Sequence, residues 1–136
     1  MSRREAREIA YKMLFSQSFG DIGWDKNDIV NILDEGQKMG EKDLEFVTKI
    51  LKGVSEHNSE INAIIERNLQ NYRIERVFST DIAALKLATY ELKYTDTPAQ
   101  VVMNEAIDIV KKYSSEKSFS FVNSVLSKIY KEISNE

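Results

Sequence analysis

Two apolar stripes of the same helical period, separated by four polar residues, constrain this chain more than any other feature. In the segment from Val101 to Ile129, Val102, Ala106, Ile109, Val110 and Tyr113 fall at i, i+4, i+7, i+8 and i+11. After Ser114-Ser115-Glu116-Lys117 the stripe resumes as Ser118, Val122, Val125, Leu126, Ile129 and Ile133. Apolar residues at this spacing line one face of a helix, and a four-residue polar break is short enough to fold the second helix back on the first. The spacing therefore predicts an antiparallel helix pair. Asn104 and Asn123 sit beside the stripes, and Phe121 follows Lys117 where the second helix begins. Taken singly, such amides satisfy nearby backbone groups and such a phenylalanine belongs to a core.

The other segments are read as support for this pair. Ser2 with Glu5 three residues on has capping-box spacing, so a first helix begins almost at the N-terminus. At about 100° per residue, Ala6, Ala10, Met13 and Leu14 share one face with Ile9 at its edge, and that face is core. The adjoining sector carries Arg3, Arg4 and Arg7 interleaved with Tyr11 and Phe15. Either it is a solvated arginine-rich face with aromatics tucked beneath it, or it is a surface for single-stranded RNA, with guanidinium groups on phosphates and flat rings on unpaired bases.

Gly20, Gly23 and Trp24 interrupt the pattern. A second helix is expected after Asp25, with Ile29, Ile32 and Leu33 on its apolar side and Gly40 at its end. From Lys42 a strong stripe (Leu44, Phe46, Val47, Ile50, Leu51, Val54) runs to the polar residues 55–59. Asn58 or Ser59 then caps a helix carrying Ile61, Ile64, Ile65 and Leu69, and the two are expected to pack as an antiparallel pair. Tyr72 to Phe78 reads as a short helical turn. Ser79 or Thr80 caps Asp81 to Tyr94, whose Ile82, Ala83, Ala84, Leu85, Leu87, Ala88, Tyr90 and Leu92 leave almost no polar side; such a helix belongs at the centre. Lys86 within it must snorkel to a rim or pair with a carboxylate or a phosphate. Thr97 and Pro98, the only proline, lead into the closing pair.

Composition sets the bounds. A chain of 136 residues that is 42% hydrophobic and 30% charged is long enough for one core and short for two, so residues 1–136 are expected to form one all-α domain. No apolar run approaches the roughly 20 residues of a membrane helix, and the charged N-terminus is not followed by an export signal's apolar stretch; a cytoplasmic protein without membrane contact is expected. The absence of cysteine and the single histidine, His57, remove thiolate chemistry and clustered zinc ligands. There is no glycine-rich phosphate loop, no G-x-S-x-G and no H-E-x-x-H. Neither an enzyme nor a cofactor or metal site is expected. The net charge of −3 and pI near 5.3 disfavour a general nucleic-acid binder, but residues 1–17 carry a local excess of two positive charges, enough for a modest RNA contact.

The wording of three blocks adds to this. N-E-A-I-D-I-V-K-K-Y-S at 104–114 with F-V-N-S-V-L-S-K-I at 121–129, the opening R-R-E-A-R-E-I-A followed by Met13-Leu14-Phe15, and D-I-A-A-L-K-L-A-T-Y-E-L at 81–92 together resemble the NusB family of transcription antitermination factors. The resemblance spans nearly the whole chain. It implies a compact single-domain bundle of about seven helices and a non-catalytic factor. With the small-subunit ribosomal protein NusE, such a factor binds boxA-type single-stranded RNA in nascent transcripts, notably of ribosomal RNA operons. There it joins the RNA polymerase antitermination complex and helps polymerase read through terminators. Matching residue by residue, it implies RNA contacts at Arg3, Arg4, Arg7, Lys86 and Phe121, to which this chain adds Lys117, and partner contacts at Phe15, Glu75 and Asp81. The family often has an acidic or small residue where Lys117 stands, so the RNA rim here is expected to be more basic. Some relatives are dimers, which makes a homodimer possible in the free state. The alternative function is a ribosome-assembly or RNA-chaperone module that works without polymerase.

Overall fold

The computed structural model describes residues 1–20, 23–70 and 73–136. Seven α-helices and one 3₁₀ turn make up the regular structure among them: α1 (Arg3–Gln17), α2 (Lys26–Val30), α3 (Glu41–Glu56), α4 (Asn58–Arg67), the turn Ile74–Arg76, α5 (Ser79–Tyr94), α6 (Ala99–Tyr113) and α7 (Glu116–Ser134). No strand occurs among the described residues. The expected place of Tyr72 in the short turn lies outside them.

The caps show why the helices start where they do. The Ser2 hydroxyl accepts from the Glu5 amide at 3.1 Å, and the Glu5 carboxylate accepts from the Ser2 amide at 3.2 Å. The two first-turn donors of α1 are thereby satisfied by side chains. The Ser115 hydroxyl accepts from the Ser118 amide at 3.2 Å and starts α7, so α6 and α7 pack as the expected hairpin. Against expectation, α5 begins after Phe78 without a side-chain cap, and Ser79 is already helical.

Three other expectations are corrected. The second helix is barely a turn long. Beyond Val30 the amides of Ile32 and Leu33 bond to Ile29 and Val30 at 3.2 Å, the tighter i to i+3 pattern in which helices end. Gly36 then takes a φ of +84° that other residues resist. Gly40 does not end this helix; it is the N-cap of α3, where its amide donates to Asp43 at 3.0 Å. The helices α3 and α4 join directly through His57, whose ring stacks on Tyr94 at 4.0 Å. They touch each other sparingly, and both lie on α5 instead.

Helix α5 is the centre. It contacts α1, α3, α4, α6 and α7, and nine of its residues, from Asp81 to Glu91, are buried. Three of these are alanines (Ala83, Ala84, Ala88), whose small side chains let five neighbours approach one rod. The closest approach is at Gly53 of α3, where an added Cβ would lie 2.2 Å from the Tyr90 ring. Tyr90 is itself buried and has little room to retreat. Gly53→Ala gains about 1 kcal/mol of helix propensity but overpacks a filled core at a cost of about 1–3 kcal/mol. A lower midpoint in urea denaturation is therefore expected; a raised midpoint would show that the α3–α5 contact yields freely.

Candidate nucleic-acid interface

Helix α1 places its three arginines in three different environments. Arg7 is 7% exposed. Its Nε and Nη2 donate to the two oxygens of Glu91 on α5 at 2.9 and 3.0 Å, a two-pronged ion pair inside the bundle. Its guanidinium also lies 5.3 Å from the ring of Phe46. Arg3 lies over the same ring at 4.3 Å, exposed on its other side. Arg4 is exposed and reaches α6, where its Nε donates to Glu105 and its Nη2 to Asp108, both at 3.1 Å. The Glu105 hydrogen bond and charge, with that of Asp108, hold its proton still more firmly than usual.

The arginine and aromatic sector seen on the helical wheel is thus half interior. Tyr11, expected as a stacking surface, is 2% exposed and packs on Tyr113 at 5.5 Å. Burial, with Asp81 nearby, pushes its hydroxyl up to about 12. Phe15 is partly buried and meets the exposed Phe19 edge-on at 5.0 Å.

At the other end of the hairpin, Lys117 and Phe121 line a cavity of about 180 Å³ together with Arg76, Phe78, Asp81 and Ser118. Lys117 and Arg76 are exposed and make no ion pair among the described residues. Phe78 is 70% exposed. A cationic rim around two aromatic rings can take phosphates and a stacked base together.

Between this cavity and Arg4 run Lys111, over Phe119 at 4.8 Å, and Lys112, 5.3 Å from Tyr113. Lys112 also donates to Glu8 at 2.9 Å. Pairs as exposed as those of Arg4 and Lys112 are weak and can be given up to a phosphate. Arg76, Phe78, Lys111 and Lys112 escape a reading of the sequence because their neighbourhood is made by helix packing. The one signal was a conspicuous aromatic and arginine just before α5.

Asp81 is not an outward-facing acid. It is 2% exposed and accepts from Ser118 at 2.9 Å and Ser114 at 3.1 Å, tying α5 to the α6–α7 turn. Burial raises its pKa, and the two hydroxyls oppose the rise only in part. Asp81→Lys would therefore disturb folding before it tested docking. A carboxyl whose folded pKa lies above its unfolded one binds protons more tightly when folded, so it favours folding increasingly as pH falls through the folded value. Wild type should gain stability relative to Asp81→Asn on acidification. Paired thermal melts across acidic to neutral pH test this, and a gap that stays constant would show that Asp81 is solvated.

Lys86 stands apart from the arginines. Five residues beyond Asp81, it is turned by about 140° around α5, away from the hairpin and toward the end of α1. There it shares a cavity with Glu75. Glu75 is exposed on the 3₁₀ turn. The residues expected at the RNA and partner surfaces thus do not gather in one place: Arg3 and Arg4 lie at the start of α1 with Arg7 buried on Glu91; Lys117, Phe121 and Asp81 at the α6–α7 turn; Lys86 and Glu75 beside α4; and Phe15 near the end of α1. No cluster of metal-ligating side chains occurs among the described residues, and no helix there is long and apolar enough to cross a membrane.

A model of the NusB family matches residues 4–131. The transcription antitermination protein NusB of Listeria monocytogenes serotype 4a (strain HCC23) is 42% identical over 133 residues, covering 97% of this chain and 98% of that one. Among solved structures, T. maritima NusB superposes with a TM-score of 0.84 at 35% identity, covering 97% of this chain and 92% of that one. A chain from a crystal structure of antitermination factors NusB and NusE in complex with double-stranded RNA superposes at 0.81 and 29% identity, with 96% of each chain covered. With all seven helices and the three sequence blocks accounted for, the chain belongs to the NusB family.

Proposed function

We propose that this protein is a non-catalytic, cytoplasmic antitermination factor. Together with a NusE-type ribosomal protein, it holds boxA-type RNA in a nascent transcript and keeps RNA polymerase reading through terminators. Membership of the NusB family supports the role. The observation that carries the RNA surface is the strip from Arg3 and Arg4 through Lys112 and Lys111 to Lys117 and Phe121, cationic and aromatic on an acidic protein. Phosphates bind at its cations, and an unpaired base stacks at the Phe121 end.

Arg3→Gln with Arg4→Gln should weaken binding to boxA RNA and flatten its logarithmic salt dependence by about 0.7 for each single-strand phosphate that is no longer neutralised. Phe121→Ala should weaken binding and leave the slope unchanged, since stacking releases no counterions. Fluorescence anisotropy at several salt concentrations measures both; an unaltered slope in the double variant would move the RNA off this strip. Affinity capture from native lysate separates the role from that of a ribosome-assembly module. Recovery of the ribosomal protein with polymerase supports antitermination, and pre-ribosomal particles without polymerase support assembly.

A further inference from the structure

Asn104 and Asn123, the amides beside the two apolar stripes of the hairpin, line one groove from opposite walls. The groove holds about 280 Å³ between α6 and α7, and no residue of α5 enters its lining. Met103 and Ile107, both half-buried, form its apolar side, and Tyr130 lies toward the end away from the hairpin turn. Both amides are exposed, and neither side chain bonds to a described residue. The Ser127 hydroxyl donates to the backbone carbonyl of Asn123 at 2.9 Å and leaves the side chain open. The expectation that these amides satisfy nearby backbone groups is therefore not met. No lining residue is charged, on a chain in which 30% of residues are, so whatever fills the groove is neutral where it sits. Toward the turn the groove leads to Lys111, which lies over Phe119 at 4.8 Å. Lys111 follows Asn104 by two helical turns on the same line of α6, about 10 Å away.

The volume is just below the about 300–1,000 Å³ of small-molecule sites. That is room for one planar group rather than for a partner's helix, which is about 10 Å across. An unpaired base is flat and neutral, and it is joined to phosphates that Lys111 and Lys112 can hold. Two amides also select among the bases. Adenine's amino group carries two hydrogens, each beside a ring acceptor, N1 on one edge and N7 on the other. An asparagine on either side then accepts one N6–H and donates to the acceptor next to it. Cytosine has a ring acceptor on one side of its amino group only, and uracil has the single N3–H donor. Guanine's second donor and acceptor pair, at N2 and N3, is crowded by the ribose.

We infer that the α6–α7 groove is an adenine pocket for single-stranded RNA. Asn104 and Asn123 read the two edges that flank the amino group, Met103 and Ile107 pack on the face of the ring, and Lys111 and Lys112 hold the adjoining phosphates. The pocket rests on the reading that the strip from Arg3 and Arg4 to Phe121 carries the RNA backbone, and it adds base choice to that strip, because phosphate contacts position a chain and base contacts specify it.

Fluorescence anisotropy with uridine dodecanucleotides, one of them carrying a single central adenosine, tests the pocket. The adenosine oligomer should bind about tenfold or more tightly than the all-uridine one, within what two bidentate contacts discriminate. Cytidine or guanosine at the same place should gain much less, and 7-deazaadenosine, which lacks N7, should lose most of the gain. Asn104→Ser and Asn123→Ser, both at exposed positions, should each remove most of the difference between the oligomers. Neither should alter the salt slope of either oligomer, since no charge is removed. Arg3→Gln with Arg4→Gln should weaken both oligomers alike and keep their ratio. Equal binding of the two oligomers by wild type, or a preference that survives Asn104→Ser combined with Asn123→Ser, overturns the pocket and leaves the strip standing. A preference that disappears with the asparagines while the arginine pair has no effect supports the pocket and moves the backbone off the strip. If wild type shows no preference and the double asparagine variant loses the ribosomal protein in capture from native lysate, the groove belongs to a protein segment and the pocket is overturned.

Discussion

Arg7→Ala is expected to lose about 3–5 kcal/mol of folding stability, the usual consequence of removing one partner from a buried ion pair. The loss comes less from the attraction given up than from Glu91, which stays 2% exposed with its carboxylate deprived of both guanidinium bonds. A double substitution separates the two effects. Arg7→Met with Glu91→Leu removes the charges together and should recover most of the loss, since an apolar pair of similar volume replaces such a bridge at little net cost. Urea denaturation of the two variants measures this directly. A wild-type midpoint for Arg7→Ala would mean that the side chain spends its time in solvent, where RNA could reach it. Arg4→Ala, a truncation at the surface, should leave the midpoint almost unmoved, so an effect of Arg7 substitution on RNA binding must be read beside a melt.

Leu85→Ala should cost roughly 2–5 kcal/mol, the range for truncating a buried leucine. Leu85 is 0% exposed and sits on the helix that five others surround. The upper part of the range is expected, because neighbours fixed on all sides cannot collapse into the space. Denaturant melts at constant slope give the value. A loss below about 1 kcal/mol would place α5 at the edge of the bundle rather than at its centre.

Much of the architecture was legible in the sequence because helices are local. The stripes of α1, α3, α6 and α7 run for many turns, and a solvated face opposite each made the buried face plain. The central position of α5 followed from its lack of any such face. What failed was local geometry without a long period: α2 ends after little more than a turn, and Gly40, read as a stop, begins the next helix. A glycine marks a break in a helical pattern equally well from either side of it. The α3–α4 junction differs in a single residue. Asn58 or Ser59 reads as the cap of α4, whereas His57, stacked on Tyr94, ends α3 and caps α4 at once, so one helix leads directly into the next.

The candidate site divides along the same line. The sequence by itself determined which residues carry charge or a ring and which sector of a helix each occupies, since both depend only on composition and a rotation of about 100° per residue. It could not determine what lies opposite that sector. Arg7 and Arg4 are a single turn apart, yet Glu91 receives one in the interior while Glu105 and Asp108 meet the other at the surface. Asp81 reads as a helix-start acid and is held by two serines from the hairpin turn. Lys86 reads as a companion of the arginines and faces the opposite side of the bundle, beside Asn62 and Glu75. These assignments rest on partners 33 to 104 residues away in the chain, or on none. Only the packing of α5 among its neighbours decides them, because the burial of a charge is a property of the surrounding helices and not of the helix that carries it.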